Sequence, residues 1–120
     1  MQAINIETTE DTPKVILDAS ASKFEMSGRS LPEDAAEFYQ PILDWLDTYS
    51  STPNPETIFE VKLEYFNTAS SKLILDVLTK LEDIENAKVH WYFYEDDEDM
   101  EEAGEEFSEL IEVDFELKEF

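Results

Sequence analysis

Residues 57–66 read TIFEVKLEYF, a run in which apolar and polar side chains alternate. Phe59, Val61, Leu63 and Tyr65 fall on one side of the run, and the charged residues between them fall on the other. Alternation over this length predicts a β-strand with one buried face. From about 69 to 85, apolar side chains recur three and four positions apart, which predicts an amphipathic helix. The two segments predict one strand–helix unit of an α/β protein.

The same two patterns recur on both sides of this unit. They predict strands near 14–19, 23–27, 89–94 and 113–118, and helices over about 31–49 and 100–111. The element order β-β-α-β-α-β-α-β predicts parallel crossovers in a mixed β-sheet of about five strands. Each strand has only one apolar face, so we expect the helices mainly on one face of the sheet. Residues 1–12 are predicted to be a loose N-terminal lead-in, and residues 13–120 a single domain.

Three local features predict details of the first helix and of the sheet. Ser30 and Glu33 have the spacing of a capping box, which predicts that the first helix starts at Ser30. Pro41 lies inside that helix and should kink or split it. Phe66 is expected on the polar face of the sheet together with two tyrosines of a later strand. These aromatic side chains form either a partner surface or only scattered exposed residues.

The charge of the chain excludes several classes of partner. Its 120 residues include 31 Asp+Glu and 8 Lys+Arg, which gives a formal net charge of −23. Binding to nucleic acid or to an anionic membrane surface is excluded, because both need Lys and Arg at the contact. The chain has no cysteine, so thiolate metal sites and cysteine nucleophiles are excluded. The polar and acidic first dozen residues differ from a signal or transit peptide, and a cytoplasmic location is expected.

The chain also lacks the motifs that catalysis needs. His90 is the single histidine, and no G-x-S-x-G, phosphate loop or H-E-x-x-H is present. Residues 95–106 are mostly acidic, but their spacing differs from that of an EF-hand. This run is predicted to be a solvated acidic helix start that could face a basic partner. We therefore expect no catalytic residue, no metal site and no cofactor.

The segment with the most informative chemistry is NTASSK at residues 67–72, between the predicted strand and helix. Its side-chain oxygens exceed what one helix cap needs. A helix N-terminus attracts anions, so a hydroxyl there could carry a phosphate. The alternative is that Asn67 or Thr68 simply caps the helix. Ser70 and Ser71 are either secondary phosphorylation sites or helix caps. Lys72 pairs with a phosphate or a partner's carboxylate, or is an ordinary solvated lysine.

Four segments in this order resemble the SiaC family of bacterial regulatory phosphoproteins. They are GRSLPE (28–33), FYQPILDWL (38–46), KLEYFNTASSK (62–72) and WYFYE (91–95). The resemblance covers all but roughly the first ten residues of the chain and implies the STAS-type fold of anti-sigma-factor antagonists, in agreement with the element order.

The resemblance also implies a function in a partner-switching circuit. A serine/threonine kinase would phosphorylate Thr68, and a PP2C-type phosphatase would remove the phosphate. The unmodified form would bind and stimulate an output enzyme such as a diguanylate cyclase. Asn67, Ser70, Ser71 and Lys72 would then line the partner-binding surface. The alternatives are an acidic decoy that mimics nucleic acid and binds a basic protein, and a binder of divalent ions.

Overall fold

The computed structural model of the protein describes residues 2–120. Its strands are β1 (Ile4–Ile6), β2 (Lys14–Asp18), β3 (Lys23–Ser30), β4 (Thr57–Phe66), β5 (Ala87–Phe93) and β6 (Asp114–Glu119). Its α-helices are α1 (Ala35–Tyr49), α2 (Thr68–Lys80) and α3 (Glu98–Leu110), and a 3-10 turn at Leu81–Asp83 extends α2. The predicted mixed α/β class is confirmed.

The six strands form one sheet in the order β1-β2-β3-β4-β5-β6. β1, β2 and β3 are antiparallel neighbours, whereas β3 through β6 run parallel. The prediction of about five strands was one short. The additional strand is β1, which lies within residues 1–12 and pairs Ile4 with Leu17 and Ile6 with Val15.

All three helices cover the same face of the sheet, as predicted. Each helix connects two adjacent parallel strands, and right-handed crossovers that proceed in one direction leave their helices on one face. Phe59, Val61 and Leu63 of β4 are buried on that face, while Glu60 and Lys62 between them remain partly exposed on the other. We call this second, helix-free side the open sheet face.

The predicted start of α1 was wrong. Ser30 is the last residue of β3, and the helix cap is Asp34, whose Oδ1 accepts from the Glu37 amide at 3.1 Å. The Asp34–Glu37 pair has the three-residue separation that was assigned to Ser30 and Glu33. Pro41 lies in the second turn and does not split the helix, which continues from Ala35 to Tyr49.

A register shift between β3 and β4 changes the position of Phe66. Gly28 pairs with Leu63, but Arg29 pairs with Tyr65, so Glu64 is an additional residue in β4. One extra residue reverses the side on which the following side chains lie. Phe66 therefore lies on the helix-covered face, and Tyr65 lies outside and is 47% exposed. Strict alternation predicted the opposite for both residues, and both predictions were wrong.

Among residues 2–120, no helix combines the length and apolar character that a membrane crossing requires.

Candidate functional site

The predicted NTASSK segment forms the turn from β4 into α2. Asn67 has extended backbone angles and caps the helix, because its Oδ1 accepts a hydrogen bond from the Ser70 amide at 2.9 Å. The Ser71 amide donates to the Asn67 carbonyl at 3.0 Å, and the Asn67 amide donates to the Ser30 carbonyl at 3.0 Å. Asn67 thus satisfies the helix start and ties it to the end of β3.

Thr68 is the first residue of α2, and its side chain is exposed. Since Asn67 supplies the cap, the Thr68 hydroxyl is not needed for it, and it makes no hydrogen bond within the described residues. Helical spacing places Thr68 on the side of α2 that also carries Ser71, Lys72 and Leu75. The hydroxyl therefore faces solvent at the positive end of a helix dipole.

Ser70 points in the opposite direction, into the domain. Its side chain is fully buried, and its hydroxyl donates to the Ser30 carbonyl at 3.0 Å. The Ser30 hydroxyl donates to Ser70 Oγ at 2.9 Å and contacts the Tyr39 hydroxyl at 2.6 Å. Because the Ser30 proton is already used, Tyr39 is the donor in that contact. The side chain of Ser70 therefore offers no surface to a partner, and it joins α2 to β3 and α1.

Burial raises the pKa of Tyr39 to about 12, partly offset by the hydrogen bond with Ser30. Tyr39 therefore stays neutral and keeps its donor proton at physiological pH. The sequence analysis assigned Ser30 to a helix cap and did not single out Tyr39, although both lie in segments that carry the family resemblance. Their role depends on long-range contacts, which neither alternation nor helical spacing reveals.

The two remaining predicted residues lie beside Thr68 at the surface. Ser71 is half-buried and Lys72 is exposed, and both border a groove between α2 and α3. Lys72 makes no ion pair with any of residues 2–120. In a chain with 31 carboxylates this leaves Lys72 available to an incoming anion.

Comparison with known proteins assigns the chain to a family. The profile described as SiaC family regulatory phosphoprotein matches residues 6–120.

The chain belongs to the SiaC family.

It is accordingly a regulatory protein and not an enzyme.

Similar proteins support the assignment. An uncharacterized protein of Pseudomonas aeruginosa strain UCBPP-PA14 is 28% identical over 113 residues, which are 91% of this chain and 90% of that protein. The structure of SiaC of Pseudomonas aeruginosa has a TM-score of 0.89 at 26% identity and covers 100% of both chains. A structure of the diguanylate cyclase SiaD in complex with its activator SiaC, from the same organism, has a TM-score of 0.89 at 26% identity and covers 98% of this chain and 99% of that chain.

The acidic run of this SiaC-family chain forms the start of α3. Asp97 caps the helix by accepting from the Met100 amide at 3.0 Å, and the helix runs from Glu98 rather than from about Met100. Its carboxylates are mainly exposed. Within residues 2–120 no group of three or more acidic or histidine side chains is arranged to hold a metal ion.

The positive charges of the chain are collected on the open sheet face. Strand alternation and register place six of the eight cationic side chains there, namely Lys14, Lys23, Arg29, Lys62, Lys88 and Lys118. Lys62 pairs with Glu25 at 2.9 Å and Lys23 pairs with Glu60 at 3.2 Å. Burial alone would raise the pKa of Glu60, but these two lysines lower it below its ordinary value. The helix-covered side therefore carries most of the net negative charge.

Proposed function

We propose that the protein is a phosphorylation-controlled activator of a diguanylate cyclase. The form with unmodified Thr68 binds and stimulates the cyclase. A serine/threonine kinase phosphorylates Thr68 and releases the cyclase, and a PP2C-type phosphatase restores the active form. The circuit operates in the cytoplasm. The family assignment and the likeness to SiaC, the activator in the complex with SiaD, support the cyclase as the output partner.

The observation that carries the proposal is that Asn67 and Thr68 have different roles at the start of α2. Asn67 caps α2, whereas Thr68 is exposed and its hydroxyl has no partner within the described residues. A kinase can therefore modify Thr68 without breaking a bond that holds the fold. The amides of the first helical turn and the helix dipole would stabilise the phosphate.

Phosphorylation at this position changes the surface and leaves the core intact. The phosphate adds about −1.5 to −2 charge at the N-terminus of α2. Lys72 lies four residues later, one helical turn away, and can pair with the phosphate. A partner that uses Lys72 then loses its cation and also meets a dianion, so the phosphate favours release.

The first experiment is phosphosite mass spectrometry on the protein isolated from its native cells. Phosphate at Thr68 in a fraction that changes with growth condition supports the circuit. Absence of phosphate at Thr68 under every condition contradicts it. Binding and activation of the co-purifying cyclase are then measured with Thr68→Ala and Thr68→Glu.

Thr79→Glu is the matched control, because Thr79 is an exposed threonine on the same side of α2. It introduces the same charge about three turns away. We expect Thr68→Glu to weaken activation about tenfold or more, and Thr68→Ala and Thr79→Glu to stay within about twofold of wild type. Equal effects of the two glutamate variants would show that position 68 has no special role.

The acidic-decoy alternative makes a different prediction. Binding that depends on counterion release weakens steeply with salt and is indifferent to one charge at Thr68. A titration of partner affinity against salt, repeated with Thr68→Glu, separates the two functions. The location of six of the eight cations on the open sheet face directs such a decoy contact to the helix-covered side.

A further inference from the structure

The open sheet face differs in charge from the rest of the chain. Beside its six basic side chains, strand alternation and register place five acidic ones on it, namely Asp18, Glu25, Glu60, Asp114 and Glu116. The chain has 31 acidic and 8 basic residues, so 26 acidic and two basic residues lie elsewhere and carry a net charge of −24. The open sheet face itself is close to neutral. A contact between two such faces therefore keeps the strongly negative surfaces apart.

The charges on this face form two rows that cross the strands from β2 to β6. The lysine row consists of Lys14, Ser27, Lys62, Tyr92 and Lys118. The carboxylate row consists of Ile16, Glu25, Glu60, His90 and Glu116. The two rows are two residues apart in every strand, which is a distance of about 6.8 Å. The face therefore carries one positive and one negative stripe side by side.

From these rows we infer that two copies of the chain associate through their open sheet faces. A twofold axis relates the copies; it lies in the contact plane, runs across the strands and passes between the two rows. This operation places the lysine row of each copy opposite the carboxylate row of the other. Lys62 of each copy then faces Glu60 of the other, and Lys118 faces Glu116. Each pair occurs twice, because both copies use the same surface.

The rows also decide between this axis and the other simple one. A twofold axis that runs along the strands would place each row opposite the same row of the other copy. Centred on β4, it would bring Lys62 against Lys62 and Glu60 against Glu60, and such like-charge contacts are destabilising. The axis across the strands pairs opposite charges instead. It also keeps the strands of the two sheets roughly aligned, which is the usual arrangement when sheets pack face to face.

Partial burial of the charged side chains lowers the cost of this contact. The side chains of Glu25, Glu60 and Lys62 are 12%, 22% and 27% exposed, so neighbouring residues already exclude much of their water. Lys62 pairs with Glu25 at 2.9 Å and lies 3.6 Å from Glu60. Each copy therefore presents charges that are already compensated. The second copy adds an opposite charge to each row and buries no unpaired one.

The extent of the face predicts a weak and reversible dimer. Six strands span about 24 Å, and six residues along a strand span about 20 Å. Two such faces would bury on the order of 1,000 Å², which is near the lower limit for a specific interface. The inference goes beyond the proposed function and does not depend on it. Thr68 lies on the helix-covered side, so the dimer leaves Thr68 of both copies exposed to partners.

The test is sedimentation equilibrium of the full chain over a range of concentrations up to about 500 μM, in about 0.15 M salt, where the Debye length of about 8 Å screens the repulsion between the distant acidic surfaces. We expect the average mass to rise with concentration from the 13.9 kDa of one chain towards twice that value. Lys62→Glu and Glu60→Lys should each weaken self-association about tenfold or more, because each variant brings like charges face to face.

An equimolar mixture of the two variants should associate nearly as well as wild type. In the mixed dimer, the acidic side chain introduced at position 62 faces the basic side chain introduced at position 60, and the other pair is native. An unfolded variant could not be rescued in this way, so the mixture separates a lost contact from a lost fold. Lys80→Glu is the matched control, because Lys80 is also ion-paired, at 2.8 Å from Asp47, but lies on the helix-covered side. Lys80→Glu and Thr68→Glu should both stay within about twofold of wild type.

A chain that stays monomeric over the whole concentration range would overturn the dimer. Equal weakening by Lys62→Glu and Lys80→Glu would overturn the open sheet face as its contact surface. Two folded variants that both lose association, but do not regain it on mixing, would overturn the pairing of the two rows. A monomeric chain in which Lys62→Glu weakens binding of the cyclase would show that this face contacts the output enzyme in place of a second copy.

Discussion

Replacement of Ser70 by alanine should destabilise the domain without removing a partner contact. The Ser70 side chain is fully buried, and the change deletes its hydrogen bonds to the Ser30 carbonyl at 3.0 Å and from the Ser30 hydroxyl at 2.9 Å. It also leaves the buried Ser30 hydroxyl without its acceptor. A buried polar group left unpaired costs about 1–3 kcal/mol, and in a domain of this size that lowers Tm by roughly 4 °C per kcal/mol.

Ser71→Ala is the matched control. Ser71 is the next residue of the same helical turn, is half-buried, and its hydroxyl makes no hydrogen bond within the described residues. Both changes raise helix propensity equally, so that gain cancels in the comparison. We expect Ser71→Ala to change the free energy of unfolding by less than about 0.5 kcal/mol.

The assay is urea unfolding followed by tryptophan fluorescence, since Trp45 and Trp91 are both buried in the core. Partner affinity is then measured without urea, at a temperature at which both variants are fully folded. We expect Ser70→Ala to bind like wild type there. Equal unfolding midpoints for Ser70→Ala and Ser71→Ala would refute the argument from the buried hydroxyl network. Weaker binding by fully folded Ser70→Ala would show that its role extends to the partner surface.

Three further outcomes follow from the core and from the open sheet face. Gly104→Ala should lower the free energy of unfolding by about 1–3 kcal/mol in urea unfolding, because an added Cβ would lie 2.5 Å from Cδ1 of Trp91. Burial raises the pKa of Tyr39 from 10.0 to about 12. Its neutral side chain therefore contributes stability below pH 10, and this contribution is lost as pH rises through about 12. In urea unfolding at alkaline pH, Tyr39→Phe should show a smaller decrease in the free energy of unfolding with pH than wild type. Burial alone would raise the pKa of Glu60, but the hydrogen bond from Lys23 helps to lower it below the ordinary 4.5. The ionised side chain therefore stabilises the fold above that pH, and the stabilisation is lost as pH falls further. Glu60→Gln should be less stable than wild type in urea unfolding at neutral pH, and the two proteins should become equally stable in acid.

The order of the main elements, the single helix-covered face and the position of NTASSK at a strand–helix turn could be predicted from side-chain periodicity. Alternation in β4 and the 3/4 spacing in α2 are strong because one face of each is buried. β1 was missed because three residues, Ile4–Ile6, are too few for a periodic pattern. The start of α1 was misplaced because Ser30 and Asp34 both have a glutamate three residues later, and only the pairing of Ser30 with Phe66 in the sheet excludes the first.

The candidate site was predicted by position but not by side-chain direction. A helix start implies that some of Asn67, Thr68, Ser70 and Ser71 cap it, but which hydroxyl faces the core depends on contacts from distant segments. Ser30 lies 40 residues before Ser70, and their hydroxyls are 2.9 Å apart. The groove between α2 and α3 was missed for the same reason, since its two sides come from segments separated by a strand.

One additional residue in β4 shapes the groove beside Thr68. Without the register shift at Glu64, strict alternation would place Phe66 on the open sheet face and Tyr65 among the helices. The shift instead directs Phe66 into the groove, where it contacts Phe107, and leaves Tyr65 outside under the Arg29 guanidinium at 5.4 Å. Phe66, the residue immediately before the helix cap Asn67, thus lines the groove. A change that removed the extra residue would therefore alter the groove and the start of α2 together.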